Sequence, residues 1–292
     1  MYMLRCGLAL MCLAALGCSS AQTGAVRVDA ALAGLVPADT VTLAGVRLDA
    51  LRATPIYQKW IAGKPLLMAD EFAKETGLDL RKDVSELLVA SNGKDTVALA
   101  RGKFSPTALD PKLAGMVAFI NSTTAVAGPP AVVRAVVDRR NPSGVPAALL
   151  AKVSTISAQN QIWAVSLGGF SQIASAVPPA GPMASLGKIL SMLEDLTLAA
   201  DLRSGVNAAV TGLCKTEQDA RSLSDALRGL IGLGRLSTPN NEPEMLRLYD
   251  GIQVEQQQLT VRVRAQIPQD LLDKAIVKVE ALTAGSPPPR RR

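Results

Sequence analysis

Two Ser-x-x-Lys strings, Ser91–Lys94 and Ser185–Lys188, and one tight carboxylate set, Asp79, Asp83 and Glu86, are the residues whose types and spacing could do chemistry. A serine one turn before a lysine can act as a nucleophile with its base if it opens a helix and S-D-N and K-T-G strings stand elsewhere. Ser91 falls in a hairpin turn, the wrong setting, and Ser185, which can open a helix, has neither companion string. The carboxylates could hold a cation through oxygen ligands or divide acid and base roles. Their spacing lacks the acidic alternation and turn glycine of a calcium loop, and Arg81 and Lys82 sit between them. A solvated loop capped by Asp79 is the reading that spacing favours. No residue is assigned a catalytic role, and Asp79, Asp83, Glu86, Ser185 and Lys188 stand as the candidates.

Other chemistries are excluded by residue type. The chain has no His, which removes His-based triads, His-paired cysteine nucleophiles and His metal sites. Too few ligands remain for a structural zinc site. Neither a G-x-x-x-x-G-K-[ST] phosphate loop nor a dinucleotide fingerprint occurs; the glycines of GLIGLGRL lie late in a helical stripe with no strand before them. No cofactor or metal is expected. A hydrolase using the carboxylates or Ser185 with Lys188 is the enzymatic alternative, and a carrier of an apolar ligand is a third reading, since an Ala- and Leu-rich α+β core can enclose one.

The N-terminus carries a cellular address. MYMLR, charged only at Arg5, precedes the apolar run CGLALMCLAALGC, the build of an export signal and about half the ~20 residues a spanning helix needs. Ala15-Leu16-Gly17-Cys18 resembles the lipobox of bacterial lipoproteins, with Gly and Cys in place and Ala and Leu at its first two positions. Cleavage before Cys18 would make it the lipid attachment residue and hold the protein on a membrane surface without a spanning helix. The competing cut follows Ser19-Ser20-Ala21, a small-x-small site, and yields a soluble periplasmic or secreted product. With a lipid on Cys18, Ser19 suits sorting to the outer membrane by resemblance. Cys6 and Cys12 leave with the signal, so Cys214 is the single internal thiol, with no disulfide framework. It continues the inward face of Val206, Ala208 and Val210 and reads as a buried hydrophobe.

The net charge of +6 shrinks to +2 once Arg5 and Arg290, Arg291 and Arg292 are set aside. A near-neutral body offers little footprint for nucleic acid, and at 3% aromatics it has few stacking platforms. Nucleic acid is not an expected partner. An envelope protein, and the membrane through Cys18, are.

The elements that must position these residues follow from periodicity. Residues 1–21 are the signal, 22–34 a linker, 35–140 a first α+β domain, 147–283 a second, and 284–292 a disordered Pro/Arg tail. In the first domain VTLAGVRL reads as a strand, Thr54-Pro55 starts a helix with Ile56, Tyr57, Trp60 and Ile61 as its core face, and LLMADEFAKETG is a helix ended by Gly77. Asn92-Gly93 marks a hairpin with both turn positions at positive φ; MVAFI and TAVAG flank Asn121-Ser122-Thr123, and AVVRAVVDRR is helical. Asn141 to Pro146 is the mid-chain boundary.

Beyond the boundary QIWAVSL, LTLAADL and VNAAVTGLC alternate as strands. Thr216 caps a helix whose stripe is Ala220, Leu223, Leu227, Leu230, Ile231 and Gly234. A shorter helix, NEPEMLRLYD, precedes a strand with Leu259, Val261, Val263, Ala265 and Ile267 on one face, and QDLLDKAIVKVEAL closes the domain as a helix. The fold class is α+β, antiparallel sheets with helices packed on one face, in two subdomains.

The ordered runs VPADTVTLAGVRLDALRATPIYQKW, TGLDLRKDVSELLVA, ARGKF and TTAVAGPPAVVRAVVD resemble a group of exported bacterial proteins for which no activity is established. These share a Pro-Ala-Asp start, a Leu-Arg-x-(Ser/Thr)-Pro opening of a helix and a Gly-Leu-Asp loop. LTLAADLRSGVNAAVTGLCKTEQDARSLSDALRGL is similar to the β-β-α units of such proteins. The resemblance implies an envelope protein of α+β type and carries over no catalytic residue. A non-enzymatic binding or scaffolding role in the cell envelope is the expectation drawn from the export signal, Cys18, the missing catalytic constellation and the near-neutral body.

Overall fold

The computed structural model describes residues 24–64, 70–71, 73, 79–104, 113, 115–139, 144–170, 184–239 and 242–284. The export signal with Cys18, the helix expected at LLMADEFAKETG for the most part, Asn141-Pro142-Ser143 and the tail from residue 285 lie outside them.

Among the described residues ten strands make one antiparallel sheet. They are β1 (Thr42–Arg47), β2 (Val84–Ser91), β3 (Thr96–Gly102), β4 (Val117–Asn121), β5 (Thr124–Ala127), β6 (Ile162–Ser166), β7 (Leu193–Asp201), β8 (Gly205–Cys214), β9 (Ile252–Gln257) and β10 (Thr260–Pro268). Their order across the sheet is β4-β5-β3-β2-β1-β6-β7-β8-β10-β9. Read outward from the centre, both halves run first, second, third, fifth and fourth strand. The seam is the β1–β6 pair, whose middle is Ala44 opposite Ala164. A pseudo-two-fold axis through that pair therefore relates the halves strand for strand. The mid-chain boundary falls between the halves, and their strands pair directly at the seam.

At the seam Gly45 lies opposite Trp163, and a Cβ on Gly45 would run into the indole. The missing side chain lets the ring lie flat on the strand and pack at full burial. Trp163 and Val165 join Leu43, Leu88, Leu99 and Val126 in the largest apolar cluster. Over that face lie α1 (Ala30–Ala33), α4 (Pro130–Val137) and α5 (Ala147–Val153), which add Leu32, Val133, Val136, Leu149 and Val153.

The alternate residues point to the opposite face. There Val84, Phe104 and Ala125 pack with Leu87, Phe119 and Leu48 of α2 (Leu48–Arg52) in the first half. On the same face of the second half, Leu193, Cys214 and Val261 pack under Ala220 and Leu223 of α7 (Glu217–Ser237) and beside Ile189 and Leu190 of α6 (Ala184–Met192). The α+β class is as expected, with a difference of arrangement: one sheet carries helices on both faces, because buried apolar residues alternate to both sides of the first half.

Local signals did most of what their chemistry requires. Thr54 caps α3 (Pro55–Trp60) by accepting from Tyr57 N at 3.3 Å, with Pro55 in the first turn. Thr216 accepts from Asp219 N at 3.0 Å and contacts its carboxylate at 2.7 Å. The β2–β3 hairpin turns at Asn92 and Gly93, but only Gly93 has positive φ. The loop has four residues, and Asn92 Oδ1 holds it by accepting from Lys94 N and Asp95 N.

Two expectations shift. Trp60 is half-buried, not core; its indole N–H donates to Asp273 of α9 (Gln269–Ala284) at 2.7 Å. Strand β9 has no counterpart in the periodicity reading; it follows α8 (Pro243–Asp250) after a single turn residue.

Candidate functional site

The carboxylate set is tied into its own loop. Asp83 Oδ2 accepts from Asp79 N at 2.7 Å, and Asp79 Oδ1 accepts from Arg81 N at 2.9 Å. Arg81 Nε lies 3.3 Å and Lys82 Nζ 3.2 Å from Asp79, while Arg81 also reaches Asp70 at 2.6 Å. Partial burial works against ionising Asp79, but the Arg81 N–H and the Lys82 and Arg81 side chains outweigh it and hold the carboxyl below its usual range. Among the described residues no group of three His, Cys, Asp or Glu side chains could hold a metal ion.

Glu86 stands apart from that loop, on β2 between Arg47 of β1 and Arg101 of β3. Burial pushes its carboxyl up, and the Asp29 and Asp49 carboxylates add to the effect against the pull of the two arginines. Ser185 and Lys188 lie on α6, one turn apart near its start, and their side chains lie outside the described part of the chain. Helix α6 runs directly into Leu193, the first residue of β7. Glu86 is at the other end of the sheet, level with Arg47 and next to the Val46–Ile162 and Ile162–Ala200 pairs. The structure does not bring the carboxylates and the Ser/Lys pair together.

Cys214 is fully buried. Burial raises its thiol pKa and the Asp219 carboxylate adds to the shift, the opposite of what a nucleophilic thiol requires.

Two features lie outside what the spacing pointed to. The first is a groove of about 480 Å³ at the Arg47 end of the sheet, lined by Gly24, Arg47, Thr54, Ala158, Gln161 and Arg203 among others. Its polar groups hold the chain together. Arg47 donates to Ala158 O at 2.5 Å and Asn160 O at 3.2 Å. Gln161, 1% exposed, accepts from Leu202 N at 2.7 Å. Arg203 forks onto Asp201, and those hydrogen bonds keep the Asp201 carboxyl low against the opposing effect of burial.

The second feature is on α7. The expected stripe included Leu230, and Ala220 and Leu223 are indeed buried, but Leu230, Leu233 and Leu236 are 60%, 62% and 85% exposed. The helix is apolar on two adjoining faces in its second half. The signal was present in ALRGLIGLGRLS, where leucines recur on both faces and a single amphipathic stripe cannot hold them all.

No family model matches the chain, and no curated protein matches it. Among solved structures, crystal form I of TP0453 superposes with a TM-score of 0.41 at 9% identity, over 87% of this chain and 98% of that one.

Proposed function

We propose that this protein is exported and held on the periplasmic face of a bacterial membrane, the outer membrane for preference, by acyl chains on Cys18. There it works by binding or scaffolding an envelope partner and not by catalysis. The observation that carries the reading is Ala15-Leu16-Gly17-Cys18 at the end of a short apolar run behind Arg5. Acyl chains attach a protein to a membrane without a spanning helix, and among the described residues no helix is long and apolar enough to cross one. The binding role draws support from the engagement of Asp79 and Asp83 in their own loop and from the burial of Cys214.

Growth with a radiolabelled fatty acid tests the anchor. The wild-type chain should take up label and fractionate with membranes, and Cys18→Ala should do neither. An unlabelled wild type released into the soluble periplasm would sink the anchor in favour of cleavage after Ala21.

A further inference from the structure

We propose that the groove at the Arg47 end of the seam binds a small organic anion, a carboxylate on a short apolar chain, with the Arg47 guanidinium as its counter-charge. This rests on the binding role proposed above and gives it a ligand class; it does not depend on the anchor.

The groove is built where the two halves meet. Arg47 N donates to Gln161 O at 2.8 Å just past the last pair of the seam, Val46 with Ile162. Arg47 and Ala50 line the groove from the first half, and Ala158 and Arg203 from the second. Small-molecule sites favour such junctions, hold roughly 300–1,000 Å³, and set a few polar groups in an apolar wall. This one, of about 480 Å³, has Ala50, Ala53 and Ala158 for its wall.

The two arginines on its lining differ in what they have left to offer. Arg203 forks onto Asp201 through Nε and Nη2, so a carboxylate already balances its charge. Arg47 has no ion pair among the described residues. Its Nη2 serves two neutral carbonyls, Ala158 O and Asn160 O. Its Nε is buried with no partner. Nη1 also lacks a partner, and it is not shut away from solvent. An unmet donor on a buried charged group calls for a partner.

The carboxylates of the same corner do not supply it. Glu86 lies opposite Arg47 in register, yet among the described residues it makes no hydrogen bond or ion pair, and burial pushes its carboxyl up, away from the charged form. Asp49 accepts from Ala50 N at 2.7 Å instead. No carboxylate among the described residues lines the groove to repel an anion. A guanidinium held by two carbonyls, with donors to spare, is pre-organised for a carboxylate, and such charge-assisted hydrogen bonds are the strong ones. One unbalanced charge matches a monoanion, and the alanines match an alkyl chain.

The test titrates octanoate calorimetrically into the full chain with Cys18→Ala, which cannot be acylated. Octanoate should bind at a single site, and octanamide, with the same chain and a neutral head, should bind at least about tenfold more weakly. Arg47→Gln should weaken octanoate by at least about tenfold, whereas Arg203→Gln, whose charge is already balanced, should stay within about threefold. Arg47→Gln gives up two hydrogen bonds to the 158–160 loop, so Ala50→Phe provides a second route: it fills the groove from its wall, removes no hydrogen bond, and should abolish binding. Circular dichroism and urea unfolding check that each variant folds. A chain that does not bind octanoate overturns the proposal, as does octanamide binding of equal strength, which would assign the groove to a neutral apolar ligand. A folded Ala50→Phe that binds like its parent, or a larger loss in Arg203→Gln than in Arg47→Gln, overturns it too. Fatty-acid labelling of Cys18 reads the anchor separately, so either result can fail while the other stands.

Discussion

Leu88, Leu99 and Val126 lie side by side across β2, β3 and β5, and each is 0% exposed. The pseudo-two-fold axis carries them onto Thr197, Thr211 and Arg262, which lie side by side across β7, β8 and β10. One half thus buries this face beneath α1, α4 and α5. The other presents hydroxyls and a guanidinium there, with Arg264 paired to Glu255 alongside. The same strand order supports either outcome, because face coverage is decided by side chains and by where the crossovers send their helices. The crossovers differ in length. Residues 103–116 join β3 to β4 in the first half, whereas residues 215–251, with α7 and α8, join β8 to β9 in the second. The exposed leucines belong to the segment with the larger insertion, where a change of surface need not disturb the shared frame.

Breaking the seam should have the largest effect. Trp163 is the largest fully buried side chain, and Trp163→Ala should cost about 3–5 kcal/mol. Since the indole lies at the boundary of both halves, unfolding in urea should remain a single transition at a lower midpoint. Two separated transitions would show that the halves are energetically independent despite the shared sheet. Gly45→Ala probes the same contact from the other strand and should cost about 1–3 kcal/mol through overpacking against the ring.

The covered and open faces can be compared directly. Leu99→Ala should cost about 2–5 kcal/mol, whereas Thr211→Ala, its counterpart across the axis, should stay within about 0.5 kcal/mol. Equal losses in denaturant titrations would mean that the second half is covered on that face after all.

This exchange of side chains also explains what could be read from the sequence. Features set by a few neighbouring residues were legible: the Thr54 and Thr216 caps, the turn at Asn92-Gly93, and the alternation in β7, β8 and β10. The strand-for-strand correspondence of the halves was not, because pairs related by the axis, such as Leu88 with Thr197 and Leu99 with Thr211, differ in type and leave no residue repeat. The pairing of β1 with β6 joins positions as far apart as Thr42 and Ser166, and no local pattern encodes it. Strand β9 escaped because its alternation decays after Val254 into Glu255, Gln256 and Gln257 on an exposed edge. For the candidate site, the loop role of Asp79 was readable from Arg81 and Lys82 beside it. The second apolar face of α7 was present in the leucine spacing of ALRGLIGLGRLS, but that spacing alone does not say which side meets the sheet.

The subtlest difference between the halves is electrostatic. Across the axis from Glu86 stands Asp195, which pairs with Lys152 at 2.8 Å. Glu86 instead has its carboxyl pushed up, first by burial and then by Asp29 and Asp49. A carboxyl with a raised folded pKa favours the fold in its protonated form. Its contribution is full below the unfolded value, about 4.3 for Glu, and is lost as pH rises through the folded value. Glu86→Gln keeps the neutral shape at every pH. Relative to that variant the wild type should lose stability between mildly acidic and neutral pH, and the gap should close below the unfolded value. Urea unfolding of both proteins across that range measures it. A gap of constant size would assign the effect to lost contacts with Arg47 and Arg101 and not to the burial of a charge.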